Sequence, residues 1–123
     1  MLTGDRACVL SVLVLRGAAV AQVLAANRSG VRSEAAWAAA GKLAELNPDC
    51  YTAWNLRRRC HAALALKGGV GAERALCADE RRLTEAALRR NPKAYSAWHH
   101  RRWLVARTLG PGASLTMSLA FRV

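Results

Sequence analysis

Isoleucine is absent from this chain, and phenylalanine occurs only once among its 123 residues. Few β-branched and aromatic residues disfavour β-sheet, whereas abundant Ala, Leu, Arg and Glu favour helix. Hydrophobic residues still make up 53% of the chain, which excludes a disordered composition. The length suffices for one domain with a modest core, so the sequence predicts an all-α protein.

Acidic residues are scarce: the chain has 8, against 19 basic residues, and a net charge of +11. Such a balance permits nucleic acid, a membrane surface, a phosphorylated ligand or an acidic protein as partner. Charge alone does not choose among these classes. Because the chain contains no known nucleic-acid recognition motif, we expect no nucleic-acid partner.

The four cysteines show no C-x-x-C pair and no zinc-finger spacing. They stand at positions 8, 50, 60 and 77. Reduced cysteines that pack as small apolar residues are typical of cytosolic proteins. The sequence therefore predicts a cytoplasmic chain without a metal site.

The one long apolar run, Ala7–Ala26, is broken by Arg16. A run of about 20 residues with an internal Arg is a poor transmembrane span, and we expect no stable membrane insertion. Its Ala7–Leu15 core has some likeness to a signal peptide, but the preceding residues lack clear positive charge. The other interpretation is a helix outside the rest of the fold.

Motifs of self-contained catalysis are also lacking. The segment 68–71, Gly-Gly-Val-Gly, has no following Lys-Ser/Thr and is interpreted as a flexible linker rather than a phosphate loop. No G-x-S-x-G or recognisable Ser/His/Asp arrangement occurs. His99 and His100 are adjacent, so on a helix they diverge by about 100° and do not face one metal ion. We expect no catalysis by this chain alone.

What the chain does contain is a repeat. Residues 47–58 read NPDCYTAWNLRR and residues 91–102 read NPKAYSAWHHRR, with seven of twelve positions identical at an offset of 44 residues. Tandem similarity at a period of roughly 20–50 residues is typical of repeat proteins, in which stacked neighbours bury a shared core. The sequence therefore predicts two helical hairpins in series.

Local signals give the expected ends of these helices. Ser33 is a plausible N-cap, and each Asn-Pro pair ends one helix and opens the next, placing Asp49 in a first turn. The predicted helices span about 33–46, 49–67, 72–90 and 93–109. The predicted organisation is a non-repeat apolar segment at 1–32, two repeats at 33–109 and an unrelated tail at 110–123, interpreted as a truncated or alternative end.

Within the repeat, Trp54 and Trp98 are expected to pack between the helices of their hairpins. Arg57 and Arg101, one turn further on, can bond carbonyls of the adjacent repeat or reach an acidic partner, and the alternative is a solvated basic face. Lys93 replaces Asp49 of the first unit, although a Lys at a helix start opposes the helix dipole.

A residue that breaks a local rule can mark a functional position. With Tyr95 two residues on, Lys93 would form an anion site suited to phosphate, and the alternative is an ordinary surface lysine.

This recurring Pro-x5-Trp-[Asn/His]-x-Arg unit resembles the repeat of protein prenyltransferase α subunits. The period of 44 residues is most similar to the type II, or Rab geranylgeranyltransferase, α subunits. The residues that carry the motif are Pro48, Tyr51, Trp54, Asn55 and Arg57 in the first unit, and Pro92, Tyr95, Trp98, His99, His100 and Arg101 in the second.

The resemblance implies a right-handed α-α solenoid of helical hairpins that pairs with a β subunit as a heterodimer. In that family the β subunit holds the catalytic zinc, and no cofactor is expected in the α chain. The enzyme moves geranylgeranyl from its diphosphate to C-terminal cysteines of Rab GTPases presented by a Rab escort protein. The α chain's diphosphate-binding Lys and Tyr match Lys93 and Tyr95.

The chain departs from the family at 1–32 and after Leu109, so we expect it to be marginally stable and inactive alone. A second interpretation is a TPR-like adaptor that binds a protein partner without catalysis. TPR repeats, however, have a period near 34 and a Trp-Leu-Gly pattern that this chain lacks.

Overall fold

The computed structural model describes residues 17–109, and every regular element among them is a helix. Residues 1–16, which hold much of the apolar run, and the tail at 110–123 lie outside the described residues. The all-α prediction is confirmed. The helices are α1 (residues 17–29), α2 (Glu34–Leu46), α3 (Tyr51–Arg90) and α4 (Tyr95–Leu109).

The boundaries of α1 and α2 follow from their end residues. Helix α1 continues to residue 29, and Gly30 ends it with a φ of 74°. The N-cap prediction is confirmed, because the Ser33 Oγ accepts a hydrogen bond of 3.1 Å from the Ala36 N–H. At the other end of α2, the Asn47 N–H bonds the Leu43 carbonyl at 2.8 Å.

Helix α3 contains a correction to the predicted linker. Instead of a flexible segment at 68–71, the helical backbone is interrupted at Gly69 alone, with φ 81° and ψ −163°. A φ in this region favours glycine, so one residue suffices to turn the chain. The two parts of α3 on either side of Gly69 are named here the first arm (51–68) and the second arm (70–90). Arg57 contacts Glu80 and His61 contacts Glu73, and because these pairs run in opposite directions along the chain, the two arms are antiparallel.

Both Asn-Pro junctions are turns two residues longer than predicted. Asp49 is not in the first turn of a helix, since α3 begins at Tyr51, and Lys93 likewise precedes α4, which begins at Tyr95. The asparagine explains the turn: the Asn47 Oδ1 accepts from the Asp49 N–H at 3.3 Å, and the Asn91 Oδ1 from the Lys93 N–H at 3.1 Å. Such Asx turns hold the backbone away from the helical region.

The core lies along the line where α2 packs on α3 and α3 packs on α4. Alanines let these helices approach closely, and α1 adds Ala19 and Val23 to the same cluster. The largest fully buried apolar side chains are Trp54, Leu56 and Leu104. Among residues 17–109, no helix combines the length and hydropathy needed to cross a membrane.

Candidate functional site

The two tryptophans of the repeat make the same local bond. The Trp54 indole N–H donates to the Pro48 carbonyl at 2.8 Å, and the Trp98 indole N–H donates to the Pro92 carbonyl at 2.7 Å. Each bond spans six residues and fastens the start of a helix to the turn before it. In both units the partner of the indole N–H is thus a backbone carbonyl.

The two tryptophans differ in how deeply they are buried. Trp54 is fully buried, as predicted, and its ring lies 4.5 Å from the ring of His100 on α4. Trp98 is 40% exposed, so the prediction that it packs inside its hairpin is wrong. The physical reason is position: α4 covers Trp54, whereas no further helix lies over α4 within residues 17–109.

Arg57 is a buried structural cation, not part of a solvated face. Its Nη1 donates to the Trp37 carbonyl of α2 at 2.9 Å, and its guanidinium lies 3.6 Å from the centroid of the Trp37 ring. Its Nε pairs with Glu80 on the second arm. Arg57 does bond a carbonyl, but that carbonyl belongs to its own repeat, and the group that it reaches in the next repeat is the acidic Glu80. Arg101 is also buried, 5.6 Å from the Trp98 ring.

Glu80 is the acceptor at the centre of these contacts and is fully buried. Besides Arg57, it accepts hydrogen bonds from the Trp37 indole N–H at 2.9 Å and from His100 Nε2 at 2.6 Å. We name Glu80, Trp37, Arg57 and His100 the carboxylate hub. The hub joins α2, both arms of α3 and α4, so one carboxylate ties the two repeats together.

Opposing effects set the ionisation of the hub. Burial alone would raise the pKa of the Glu80 carboxyl, but the hydrogen bond from His100, the nearby His61 ring and the Arg57 charge outweigh it and hold the pKa well below its usual range. Burial lowers the pKa of His100 despite Glu80 beside it. His100 is therefore neutral near pH 7, with Nε2 donating to Glu80 and Nδ1 accepting from the Arg58 Nη1 at 3.1 Å.

Sequence reasoning missed Glu80 as a functional position, although a signal was present. The apolar face of the second arm runs through Leu76, Leu83 and Ala87, and Glu80 falls at the helical spacing of that face. A lone carboxylate on an apolar helix face predicts a buried partner of opposite charge.

Lys93 and Tyr95 lie together at the start of α4, on the surface. Lys93 is exposed in the turn, and Tyr95, the first residue of the helix, is 88% exposed. The first backbone bond of α4 runs from the Trp98 N–H to the Ala94 carbonyl, so the amides of 95–97 lie at the positive end of the helix dipole. In the first unit the matching residues are Asp49 and Tyr51, the latter 54% exposed.

The other motif residues form the surroundings of this surface. Pro48 and His100 are buried and Asn55 is half-buried, whereas Pro92 and His99 are exposed. The ring of His99 lies 6.3 Å from that of Tyr51. Because His99 and His100 diverge on α4, one ring faces solvent and the other the hub, as expected for adjacent helical residues.

Comparison with known proteins connects this arrangement to one family. Residues 33–64 and 77–108, about half of the chain, match the family described as protein prenyltransferase alpha subunit repeat. Geranylgeranyl transferase type-2 subunit alpha 1 of Arabidopsis thaliana is 40% identical over 68 residues, which are 54% of this chain and 10% of that protein.

Mammalian proteins match a longer stretch. Geranylgeranyl transferase type-2 subunit alpha of Rattus norvegicus and that of Homo sapiens are each 32% identical over 110 residues, 89% of this chain. Those residues are 19% of each relative, so the chain spans about a fifth of their length.

Proposed function

The chain belongs to the protein prenyltransferase α-subunit repeat family, and from this we propose that it serves as an α subunit, or as part of one, in a Rab geranylgeranyltransferase. In this proposal the chain has no catalytic centre of its own. It pairs with a β subunit, and that β subunit holds the catalytic zinc. The substrate is geranylgeranyl diphosphate, and the acceptors are C-terminal cysteines of Rab GTPases presented by an escort protein.

The observation that carries the proposal is the exposed pair Lys93 and Tyr95 at the start of α4. A buried hub holds α4 against α3, so these side chains project from a fixed helix end. An ammonium and a phenol hydroxyl there, beside amides at the positive end of a helix, suit the oxygens of a diphosphate.

The proposed role of the pair is to stabilise the leaving group. When the cysteine sulfur bonds to C1 of the prenyl chain, the C1–O bond breaks and its electron pair stays on the diphosphate. Lys93 and Tyr95 would neutralise the charge that grows there, and donors fixed in place before the reaction are effective in this role.

The experiment is co-expression with a Rab geranylgeranyltransferase β subunit, followed by co-purification and prenyl transfer to Rab with its escort protein. We expect association, and where the pair transfers prenyl, we expect Lys93→Ala to lower transfer at least about a hundredfold, the range for losing one such stabilising group. Lys67→Ala is the matched control, because Lys67 is an exposed lysine at the far end of the first arm.

The outcomes separate the candidate roles. Association without transfer would make the chain an assembly-competent but incomplete partner. A folded chain that fails to associate would contradict the proposal and favour the TPR-like adaptor. Equal transfer by Lys93→Ala and Lys67→Ala would remove Lys93 from the site.

A further inference from the structure

Three side chains with metal-binding atoms converge beside the Gly69 kink. His61 comes from the first arm, and Glu73 and Cys77 come from the second. Their ligand atoms all lie within 4.8 Å of one another. His61 Nε2 is 2.8 Å from the Glu73 Oε2 and 4.0 Å from the Cys77 Sγ.

The chemistry and the spacing of these atoms suit zinc. Imidazole nitrogen, carboxylate oxygen and thiolate sulfur are the three ligand types of protein zinc sites. Tetrahedral ligands at about 2.0–2.3 Å from zinc lie roughly 3.4–3.6 Å apart, so both distances given for His61 need changes of only about half an ångström. Glu73 and Cys77 are four residues apart and therefore share one face of the second arm.

The surroundings also orient two of these ligands. His61 is fully buried, and its Nδ1, 3.8 Å from the Glu80 Oε1, makes no hydrogen bond within the described part of the chain. A metal on Nε2 would place the ring proton on Nδ1, where it points toward a carboxylate, the usual support of a ligating histidine. The other oxygen of Glu73 is held by Arg107 of α4.

The site has a path to solvent. Glu73 and Arg107 line an open groove beside the kink, together with Gly69 and Val70. Glu73 and Cys77 are half-buried, so an ion can reach them without unfolding of the arms.

From these contacts we propose that His61, Glu73 and Cys77 bind one zinc ion, with water as the fourth ligand. The ion fastens the two arms of α3 across the single non-helical residue between them and so fixes the angle of the kink. The Cys77 thiol gives up its proton to solvent on binding, and no electron transfer is involved.

This site departs from the sequence expectation that the chain holds no metal. The ligands span positions 61 to 77 and match no zinc motif, because only the reversal of the chain at Gly69 brings them together.

The test is titration of the 123-residue chain with Co²⁺, whose thiolate charge-transfer and visible bands report a sulfur ligand and tetrahedral geometry. We expect one Co²⁺ per chain, displaced by Zn²⁺. Cys77→Ser should abolish the charge-transfer band, and Glu73→Gln should weaken binding about 10-fold or more. Cys50→Ser is the control, since Cys50 is another half-buried free cysteine.

Native mass spectrometry provides a second, independent count. We expect one zinc on the wild-type and Cys50→Ser chains and none on Cys77→Ser at the same zinc concentration, with helical content by circular dichroism matched among the three. A charge-transfer band that survives in Cys77→Ser, or that disappears equally in Cys50→Ser, would overturn the site. So would the absence of a one-to-one complex with the folded wild-type chain.

Discussion

The two repeats share a local design and differ in what covers them. In both, an Asx turn precedes a helix, and a tryptophan bonds the carbonyl of the turn's proline. Yet Trp54 is fully buried, whereas Trp98 is 40% exposed. The motif therefore determines the local hydrogen bonds, and the next helix in the stack determines the burial. This is the expected behaviour of solenoids, in which each unit depends on its neighbour.

Truncating the two tryptophans should separate these contributions most clearly. Trp54→Ala removes a fully buried indole and should lower the free energy of unfolding by roughly 3–5 kcal/mol. Trp98→Ala should cost about half as much or less, because part of that ring is already in water. Urea unfolding followed by circular dichroism measures the free energy of unfolding of both variants. Equal losses of stability would contradict the difference in burial between the two tryptophans.

Breaking the hub should have the next largest effect. Glu80→Gln keeps the size of the side chain but leaves the Arg57 charge buried without its counter-charge, and we expect a loss of about 3 kcal/mol. Glu85→Gln is the matched control, because Glu85 pairs with Arg81 at the surface, 3.2 Å away. The loss of stability in Glu85→Gln should stay below about 0.5 kcal/mol. Similar losses in the two variants would argue against a central role for the hub.

The hub also predicts a pH dependence. Burial lowers the pKa of His100 from the ordinary 6.5, so below that pH the unfolded state takes up a proton that the folded state does not. Stability should therefore fall as pH drops below about 6.5, by up to about 1.4 kcal/mol per pH unit. Thermal unfolding between pH 7.5 and 5 measures this slope.

The neighbouring histidine provides the control for that slope. His99 is exposed, so His99→Gln should leave the slope unchanged, whereas His100→Gln should flatten it. Parallel slopes in the two variants would show that His100 is not the titrating group.

Whether a feature could be predicted from sequence depends on how far apart along the chain its interacting residues lie. The Ser33 cap and the ends of helices at the two asparagines depend on atoms a few residues apart, and those predictions are confirmed to within two residues. The family resemblance is confirmed too, since it rests on the same local motif.

The rest depends on contacts across the stack. Gly69 turns the chain within one residue, and only that reversal places Glu80 beside Arg57. The exposure of Trp98 also reflects which helices surround it, which its local sequence does not encode. The diphosphate-binding role of Lys93 and Tyr95 stays a prediction, because it concerns a ligand and a partner chain.

The smallest expected effect on stability concerns Gly41, a glycine that only the first repeat has at this position. The second repeat has Glu85 at the matching position, 44 residues on. A Cβ on Gly41 would clash with the Arg57 Nη1, an atom that already donates a hydrogen bond to the Trp37 carbonyl. Alanine normally stabilises a helix over glycine by about 1 kcal/mol, but overpacking costs roughly 1–3 kcal/mol.

We therefore expect Gly41→Ala to destabilise the chain by about 1 kcal/mol net, measured by urea unfolding. Gly71→Ala is the control, because its Cβ would meet nothing within 4 Å in the second arm. That variant should gain up to about 1 kcal/mol. If Gly41→Ala also stabilised the chain, Arg57 must be able to move without a loss of stability. The close approach of α2 to the hub would then not restrict position 41 to glycine.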